Sequence, residues 1–409
     1  MNDATEMTES RAEFDILIVG AGLVGGALAC ALAQIDQSLA VGVIEAGPDP
    51  KPFNAEQFDP RVVALTHASK QLLASIGAWD MIEAERTCPY TDMHVWDADG
   101  TGNIHFDCRE VQQPSLGHIV ENSVAVRAIT QQLYQRANVQ LIHGRVETLH
   151  RDDQAQLSQV ILESGEVVSA PLLLACDGAN SKVRELANMH TREWDYGHHA
   201  VVTTVRSEQP HQFTAWQRFL TSGPLAFLPL VTAEGDAHQC SIVWSVLPEL
   251  AEALMALDDD TFCLRLSDAF EHKLGKVVHA DKRFSFPLRQ RHAIDYIKPG
   301  IALVGDACHT IHPLAGQGVN LGFLDVLALQ QEIQRACERN LPLSDESILR
   351  RYQRQRKSGN LSMMAAMEGF KRLFGADNIG VRWVRNEGLR QVNSLPLLKN
   401  TIVKQAMGL

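Results

Sequence analysis

Short apolar runs separated by a glycine-rich turn dominate the first part of the chain. Residues 15–19 form a β-branched run, which is followed by the turn and by small apolar residues over 26–34. A second apolar run covers 39–44. A strand, a glycine turn, a helix and a second strand within about 30 residues form a βαβ unit, so this segment predicts a parallel sheet.

Further along the chain the apolar positions change their period. Alternation over 91–106, interrupted by the turn pair Asp99-Gly100, predicts a β-hairpin. The parallel sheet is then predicted to resume at 118–120 and to be followed by a helix over 123–136. Further apolar runs predict strands near 139–142, 160–163 and 172–175.

The region between residues 198 and 290 reads as a block of strands separated by polar turns. Its apolar runs cover 199–206, 226–230, 240–244 and 283–288. Such a block predicts an antiparallel sheet inserted into an α/β domain. After it come a buried strand over 301–304, a helix over 318–340 and mainly helical sequence from residue 344 onward.

Composition and charge narrow the class of protein. The chain has 409 residues and a net charge of −12, which repels phosphates and argues against generic nucleic-acid binding. Its eight cysteines contain no C-x-x-C pair and no Cys/His ligand spacing, so we expect reduced thiols, no metal site and a cytoplasmic protein. Residues 1–13 carry four acidic side chains and lack the basic start and apolar stretch of a signal peptide.

The first candidate site lies in the glycine turn, where Gly20, Gly22 and Gly25 form the pattern G-x-G-x-x-G. Glycines at these offsets let the turn close and let backbone N–H groups approach a pyrophosphate at a helix N-terminus. Glu45 lies 20 residues beyond Gly25, where a carboxylate can accept hydrogen bonds from ribose hydroxyls and repel a 2′-phosphate. The alternative is a structural turn followed by an exposed glutamate.

A second motif, Asp177-Gly-Ala-Asn-Ser-Lys-Val-Arg184, directly follows the buried run that ends at Cys176. Asp-Gly and Asn-Ser are common turn and cap pairs, so a turn that caps a helix would explain this segment equally well.

A third motif occupies residues 305–320, again between a strand and a helix. Asp306 can bind a sugar hydroxyl, while Gly316 and Gly318 let the backbone approach a flat ring. The positive end of the following helix would stabilise negative charge on that ring.

In this order the three motifs resemble the flavoprotein aromatic hydroxylases of the para-hydroxybenzoate hydroxylase type. Those proteins carry G-x-G-x-x-G, D-G-x-x-S-x-V-R and G-D-A-x-H-x-x-x-P-x-x-G-x-G-x-N, and every defining position is filled here. One departure is Cys308, where many members have Ala, and the same buried space accommodates the sulfur. Five further segments are similar to the ubiquinone-biosynthesis 2-polyprenylphenol hydroxylases, namely 116–122, 194–196, 227–230, 309–322 and 405–409.

The resemblance implies bound FAD and assigns residues to it. It places the ADP half at Gly20, Gly22, Gly25 and Glu45, and the ribityl and pyrophosphate region near Asp306. It matches Arg61 and Asn122 to family positions that contact the cofactor. It matches Asp177, Gly178 and Arg184 to a motif used for FAD and nicotinamide, and Pro313, Gly318 and Asn320 to the segment at the flavin face.

The resemblance also implies a reaction. A reduced nicotinamide or another electron donor reduces FAD, O₂ adds to give a flavin C4a-hydroperoxide, and one oxygen enters the ring of a polyprenylated phenol in ubiquinone biosynthesis. C5 is the favoured ring position. The alternatives are a related flavin monooxygenase acting on a small soluble aromatic, and a non-catalytic flavoprotein that serves as an assembly component.

Candidate catalytic residues are His312 and Pro313. His312, like His309 in the same segment, could act as a general acid or base, although a histidine in such a segment is more often a structural hydrogen-bond partner. Pro313 could present its carbonyl to the substrate hydroxyl. An apolar substrate cavity would draw its lining from Phe227, Leu228, Pro229 and Trp244, although core packing would also produce these residues.

The expected fold is therefore α/β, with a Rossmann-like FAD-binding domain, an inserted antiparallel-sheet substrate domain and a helical C-terminal segment. We expect the FAD-binding domain over 14–90, 118–185 and 287–340, the substrate domain over 91–117 and 186–286, and the C-terminal segment over 341–409.

Charge is segregated along the chain, since residues 350–409 carry +9 and residues 1–349 carry −21. The basic residues Arg350, Arg351, Arg354, Arg356 and Lys357 precede Met363, Met367, Phe370 and Phe374 at helical spacing. One interpretation is a core helix with a solvated basic face. The other is peripheral contact with the anionic inner face of the membrane, or with another ubiquinone-biosynthesis protein.

Overall fold

The structure is a computed structural model that describes residues 13–98, 102–310 and 318–375, apart from the side chains of 196, 365–368 and 370–375. The predicted turn at Asp99-Gly100, the candidates His312 and Pro313, Gly316, and the chain beyond 375 lie outside the described residues. So do the side chains of Met367, Phe370 and Phe374.

The described chain alternates strands and helices, with two 3₁₀ turns at Cys108–Val111 and Gly305–Ala307. In chain order the strands are β1 Ile16–Val19, β2 Val41–Glu45, β3 Val62–Leu65, β4 Cys88–Tyr90, β5 Asp92–Asp97, β6 Asn103–Asp107, β7 Gly117–Glu121, β8 Val139–His143, β9 Val146–Asp152, β10 Leu157–Leu162, β11 Val167–Ala170, β12 Leu172–Ala175, β13 Thr191–Ser207, β14 Thr214–Leu220, β15 Gly223–Leu230, β16 Gln239–Val246, β17 Val277–Ala280, β18 Phe284–Ala293, β19 Ile297–Lys298, β20 Ile301–Leu303 and β21 His309–Thr310. The helices are α1 Leu23–Ala33, α2 His67–Ser75, α3 Trp79–Glu85, α4 Asn122–Tyr134, α5 Lys182–Leu186, α6 Pro248–Ala256, α7 Asp259–Ala269, α8 Gly318–Glu338 and α9 Glu346–Gly375.

A six-stranded sheet with the order β19-β20-β12-β1-β2-β8 forms the centre of the half of the fold that carries the three sequence motifs. Its strands run parallel except for the short edge strand β19. Strands β1 and β12 are buried along their whole length, as expected for a parallel sheet covered on both faces. Helix α1 is buried almost all round because it lies between this sheet and the helices α4 and α8.

The prediction that residues 118–120 rejoin the parallel sheet is wrong. Strand β7 instead pairs antiparallel with β3 and β4 in a separate three-stranded sheet. A buried apolar strand has the same local pattern in either sheet, so only the tertiary pairing distinguishes the two. The predicted strand at 160–163 likewise belongs to an antiparallel sheet, β9-β10-β11.

The block of strands forms a nine-stranded sheet with the order β21-β18-β13-β16-β15-β14-β5-β6, and β17 adds to β13. The sheet is mostly antiparallel, but β14 and β5 run parallel, which brings the β5–β6 hairpin into the same sheet. Helices α6 and α7 cover one face, where Phe227 stacks on Phe270 at 3.7 Å between ring centroids. The other face of the nine-stranded sheet points towards the six-stranded sheet.

Helices α8 and α9 pack against each other. Among the described residues, no helix combines the length and the apolar character needed to cross a bilayer.

Candidate active site

A cavity of about 1030 Å³ lies between the six-stranded sheet and the free face of the nine-stranded sheet. This volume is at the upper end of the range for ligand sites, about 300–1,000 Å³. Seven of the twelve predicted cofactor residues line it: Gly22, Glu45, Arg61, Asn122, Gly178, Asp306 and Gly318.

These residues meet because the sequence motifs follow neighbouring parallel strands. Gly20 follows β1, Glu45 ends β2, Asp177 follows β12 and Asp306 follows β20, and these four strands are adjacent in the order β20-β12-β1-β2. Ligands of open α/β sheets bind at the carboxyl ends of the strands. The topology therefore gathers motifs that are up to 286 residues apart in the sequence at one edge.

The glycine turn shows why its three glycines differ in role. Gly20 has φ +99° and a side chain there would lie 2.5 Å from the Cys176 carbonyl oxygen. A side chain on Gly25 would collide with the Gly20 carbonyl, so both positions serve close packing. Gly22 has open space where its side chain would be, and it lines the cavity at the start of α1. The unpaired N–H groups of that helix end are suited to an anion.

Glu45 is held in place by backbone groups. Its Oε2 accepts a hydrogen bond from the Ala21 N–H at 2.6 Å, and its Oε1 accepts one from the Gly47 N–H at 2.7 Å. Each carboxylate oxygen can accept a further bond, so the group remains available to ligand hydroxyls in the cavity.

The second motif forms a turn that side-chain hydrogen bonds hold at the start of α5. Asp177 Oδ2 accepts from the Val183 N–H at 3.1 Å, while its Oδ1 is buried without a hydrogen-bond partner among the described residues. Gly178 has φ +79° and lines the cavity. Arg184 does not line the cavity, because its guanidinium is buried and donates to the carbonyls of Ala307 and Ala179. It therefore ties this motif to the third.

In the third motif Asp306 sits in a 3₁₀ turn and its side chain opens into the cavity. The walls of the cleft desolvate this carboxylate and raise its pKa above its usual range. The resemblance implied a cofactor contact for Asn320, but its amide is buried and is engaged elsewhere. Its Oδ1 accepts from the Thr66 N–H and the Ser69 hydroxyl, and its Nδ2 donates to the Ala64 carbonyl.

Arg61 and Asn122 flank the cavity at the end of the β3-β7-β4 sheet, where the Asn122 N–H donates to the Arg61 carbonyl at 2.9 Å. The second half of the wall comes from the nine-stranded sheet. Leu228 lines the cavity, whereas Phe227 and Trp244 face α7 on the opposite side. Alternation along a strand separates neighbours in this way, and Pro229 is also absent from the lining.

Sequence reasoning missed a buried ionic cluster behind the third motif. Asp325 on α8 is fully buried and accepts hydrogen bonds from His309 Nε2 at 2.6 Å, Arg356 Nε at 2.6 Å and the Gly305 N–H at 3.0 Å. Burial alone would raise the pKa of Asp325, but His309 and Arg356 hold it below its usual range. The signal in the sequence was a carboxylate on the apolar face of a helix, which requires a partner.

Several side chains of the basic segment pair with carboxylates, which its sequence does not indicate. Arg356 binds Asp325, and Arg351 donates to the buried Glu332 at 2.6 Å. Arg350 makes an exposed pair with Glu346 on its own helix. Arg354 is exposed.

Comparison with known proteins agrees with this geometry. The sequence model of a family described as "FAD binding domain" matches residues 13–365. The chain is 38% identical to 3-demethoxyubiquinol 3-hydroxylase of Escherichia coli (strain K12), over 97% of this chain and 98% of that protein. It is 33% identical to the mitochondrial ubiquinone biosynthesis monooxygenase COQ6 of Homo sapiens, over 95% of this chain and 92% of the relative.

Solved structures share the fold at lower identity. PqsL of Pseudomonas aeruginosa, a probable FAD-dependent monooxygenase, superposes with a TM-score of 0.74 at 21% identity, over 92% of this chain and 99% of that one. Klebsiella pneumoniae HpxO complexed with FAD gives 0.71 at 18% identity, over 97% and 98%. The open space beside Gly22 at the N-terminus of α1, and the carboxylates at the strand ends, fit an FAD molecule. The chain therefore belongs to the FAD-dependent monooxygenases of the para-hydroxybenzoate hydroxylase type, in the group of the ubiquinone-biosynthesis hydroxylases.

Proposed function

We propose that this enzyme hydroxylates the ring of a polyprenylated phenol in ubiquinone biosynthesis, with FAD in one half of the cavity and the phenol in the other. The observation that carries the proposal is the continuity of the cavity. It extends from the four strand ends of the parallel sheet to the apolar face of the nine-stranded sheet.

The cofactor roles follow from the placement of the lining residues. Gly22 and the N-terminus of α1 would hold the pyrophosphate, Glu45 the ribose hydroxyls and Asp306 a hydroxyl of the ribityl chain. Arg61 and Asn122 would approach the cofactor from the β3-β7-β4 sheet. When bound, FAD accepts electrons from a reduced nicotinamide or another donor and supplies the activation of O₂.

The chain itself must place the ring and keep water out. Ala200, Val202, Ala226, Leu228 and Val243 form a nearly continuous apolar wall on the free face of the sheet. Such a wall excludes water from the reacting groups and holds the ring by burial of apolar surface. From their place in the third motif, we also propose His312 as a proton-transfer group and the Pro313 carbonyl as a hydrogen-bond acceptor for the substrate hydroxyl.

The named relatives support a ubiquinone precursor as substrate. The E. coli relative is named for hydroxylation of a demethoxyubiquinol at position 3. We propose C5 as the position for this enzyme on the resemblance alone, so the test must identify the ring carbon.

The test is lipid analysis in a strain from which the gene has been deleted. We expect a polyprenylphenol that lacks one ring oxygen to accumulate, and the missing position identifies the site of hydroxylation. Complementation with the wild-type gene should restore ubiquinone, and complementation with the Gly22→Val variant should not. Normal ubiquinone in the deletion strain, or accumulation of a small aromatic without a tail, would refute the proposed substrate.

We also propose that the enzyme works in the cytoplasm at the inner face of the membrane, where its substrate is dissolved. The support is the +9 charge of residues 350–409 against −21 for the rest. Anionic lipids attract such a segment at low ionic strength. Among its described cations, Arg350 and Arg354 are the exposed ones to test, since Arg351 and Arg356 bind buried carboxylates.

A further inference from the structure

Two serines interrupt the apolar wall of the cavity. Along β16, Ser241, Val243 and Ser245 project from the face that lines the cavity, and Cys240, Ile242 and Trp244 project from the other. Ser241 is fully buried and Ser245 is 3% exposed. Neither Oγ has a hydrogen-bond partner among the described residues.

Unpaired hydroxyls in such a place call for an explanation. A buried polar group without a partner is destabilising, and most such groups in folded proteins are satisfied. A ligand in the cavity would satisfy these two. A hydroxyl both donates and accepts, so it suits the oxygen of another hydroxyl or of a methoxy group.

The strands that surround the serines offer no charged partner, and the cations that line the cavity, Lys51, Arg61 and Arg289, lie on other elements. On β14, β15 and β16 the cavity-lining residues are Gln217, Pro224, Ala226, Leu228, Ser241, Val243 and Ser245, and none of these carries a charge. A ring carboxylate placed here would lose its hydration without gaining a cation. This part of the cavity wall, on β14, β15 and β16, therefore favours a neutral phenol over an aromatic acid.

The spacing of the serines indicates how a ring would lie. Four residues along a strand correspond to about 13 Å, so the two hydroxyls are too far apart to share one substituent. Val243 lies between them and pairs with Ala226 on the neighbouring strand. A ring lying over this apolar pair would direct oxygens at its two edges towards the two serines.

We propose that Ser241 and Ser245 are specificity-determining residues that hydrogen-bond the neutral oxygen substituents of the phenol ring. This inference rests on the proposed function and deepens it. It assigns the residues that distinguish an oxygenated ring from a bare one, and a neutral ring from an acidic one.

The experiment measures ligand binding to the oxidised, FAD-loaded enzyme through the change in flavin absorbance. The probes are a short-tailed prenylphenol, the prenylbenzene that lacks its hydroxyl, and the corresponding prenylated hydroxybenzoate. The variant is the double change Ser241→Ala and Ser245→Ala, and the two single changes assign the contact. Ser285→Ala is the matched control, because Ser285 lies in the same sheet, bonds His199 and does not line the cavity.

We expect the wild type to bind the prenylphenol more tightly than either other probe. The double variant should bind the prenylphenol roughly 3- to 10-fold more weakly, as expected for loss of a neutral hydrogen bond, and should bind the prenylbenzene as the wild type does. FAD content and the control variant should be unchanged. Equal losses on both probes, no loss on the phenol, or tighter wild-type binding of the hydroxybenzoate would overturn the assignment. Failure of the wild type to bind or hydroxylate any prenylphenol would instead refute the proposed function, and this inference with it.

Discussion

Replacing Arg356 by methionine tests whether the buried cluster supports the active site. Arg356 is 8% exposed, and its guanidinium is the cationic partner of Asp325, which is fully buried. Methionine retains much of the side-chain volume but leaves the carboxylate without this partner. Breaking a buried ion pair by removing one member costs about 3–5 kcal/mol, which for a chain of 409 residues corresponds to a fall in Tm of about 4–6 °C.

The same change should weaken FAD binding. Asp325 accepts from the Gly305 N–H and from His309, so it holds both ends of the short segment that carries Asp306. In Arg356→Met we expect Tm, measured by thermal unfolding, to fall. We expect the FAD dissociation constant, measured by flavin fluorescence, to rise.

Arg350→Met is the matched control on the same helix. Its pair with Glu346 is exposed, and such i,i+4 pairs contribute about 0.3–0.5 kcal/mol. Adding Asp325→Asn to Arg356→Met should recover part of the lost stability, because the uncompensated charge is removed. The reasoning would be refuted if Arg356→Met lost no more stability than the control. It would also be refuted if the stability loss of the double variant equalled the sum of the losses measured for Arg356→Met and Asp325→Asn singly.

Four further predictions address the cofactor, acid stability and the membrane. Gly22→Val should lose most of its FAD because the side chain fills the open space at the start of α1, and undiminished occupancy would remove this turn from the cofactor site. Asp306→Ala should weaken FAD binding by roughly 1.5–3 kcal/mol, and an unchanged dissociation constant would reject the proposed hydrogen bond. Burial lowers the pKa of His292 from 6.5 to about 4, so between these values the unfolded chain binds a proton that the folded chain does not; the free energy of unfolding should therefore fall on acidification through this window, and His292→Phe should flatten the dependence measured by urea titration. Changing Arg350 and Arg354 to glutamine should reduce salt-sensitive binding to anionic liposomes and activity on a long-tailed phenol while sparing FAD content, whereas equal wild-type binding to neutral and anionic liposomes would contradict the electrostatic contact.

Local sequence is enough to predict the elements and motifs that depend on neighbouring residues. A β-branched run followed by Gly20 and Gly22 specifies a strand and a turn, because both depend on local backbone preference. Glu45 ends a strand of the same kind, and Asp306 follows one. Once these strands are predicted to be parallel, their carboxyl ends must share one edge, so the motifs alone locate the cofactor edge of the sheet.

The residues that meet across the chain depend instead on the tertiary fold. The local pattern of β7 is compatible with either sheet, and its antiparallel partners are found only in the fold. Asn320 binds Thr66, which is 254 residues away, and Arg356 meets Asp325 across two helices. The physical reason is that periodicity specifies which side of an element is buried, whereas the partner of each buried polar group depends on how separate elements pack.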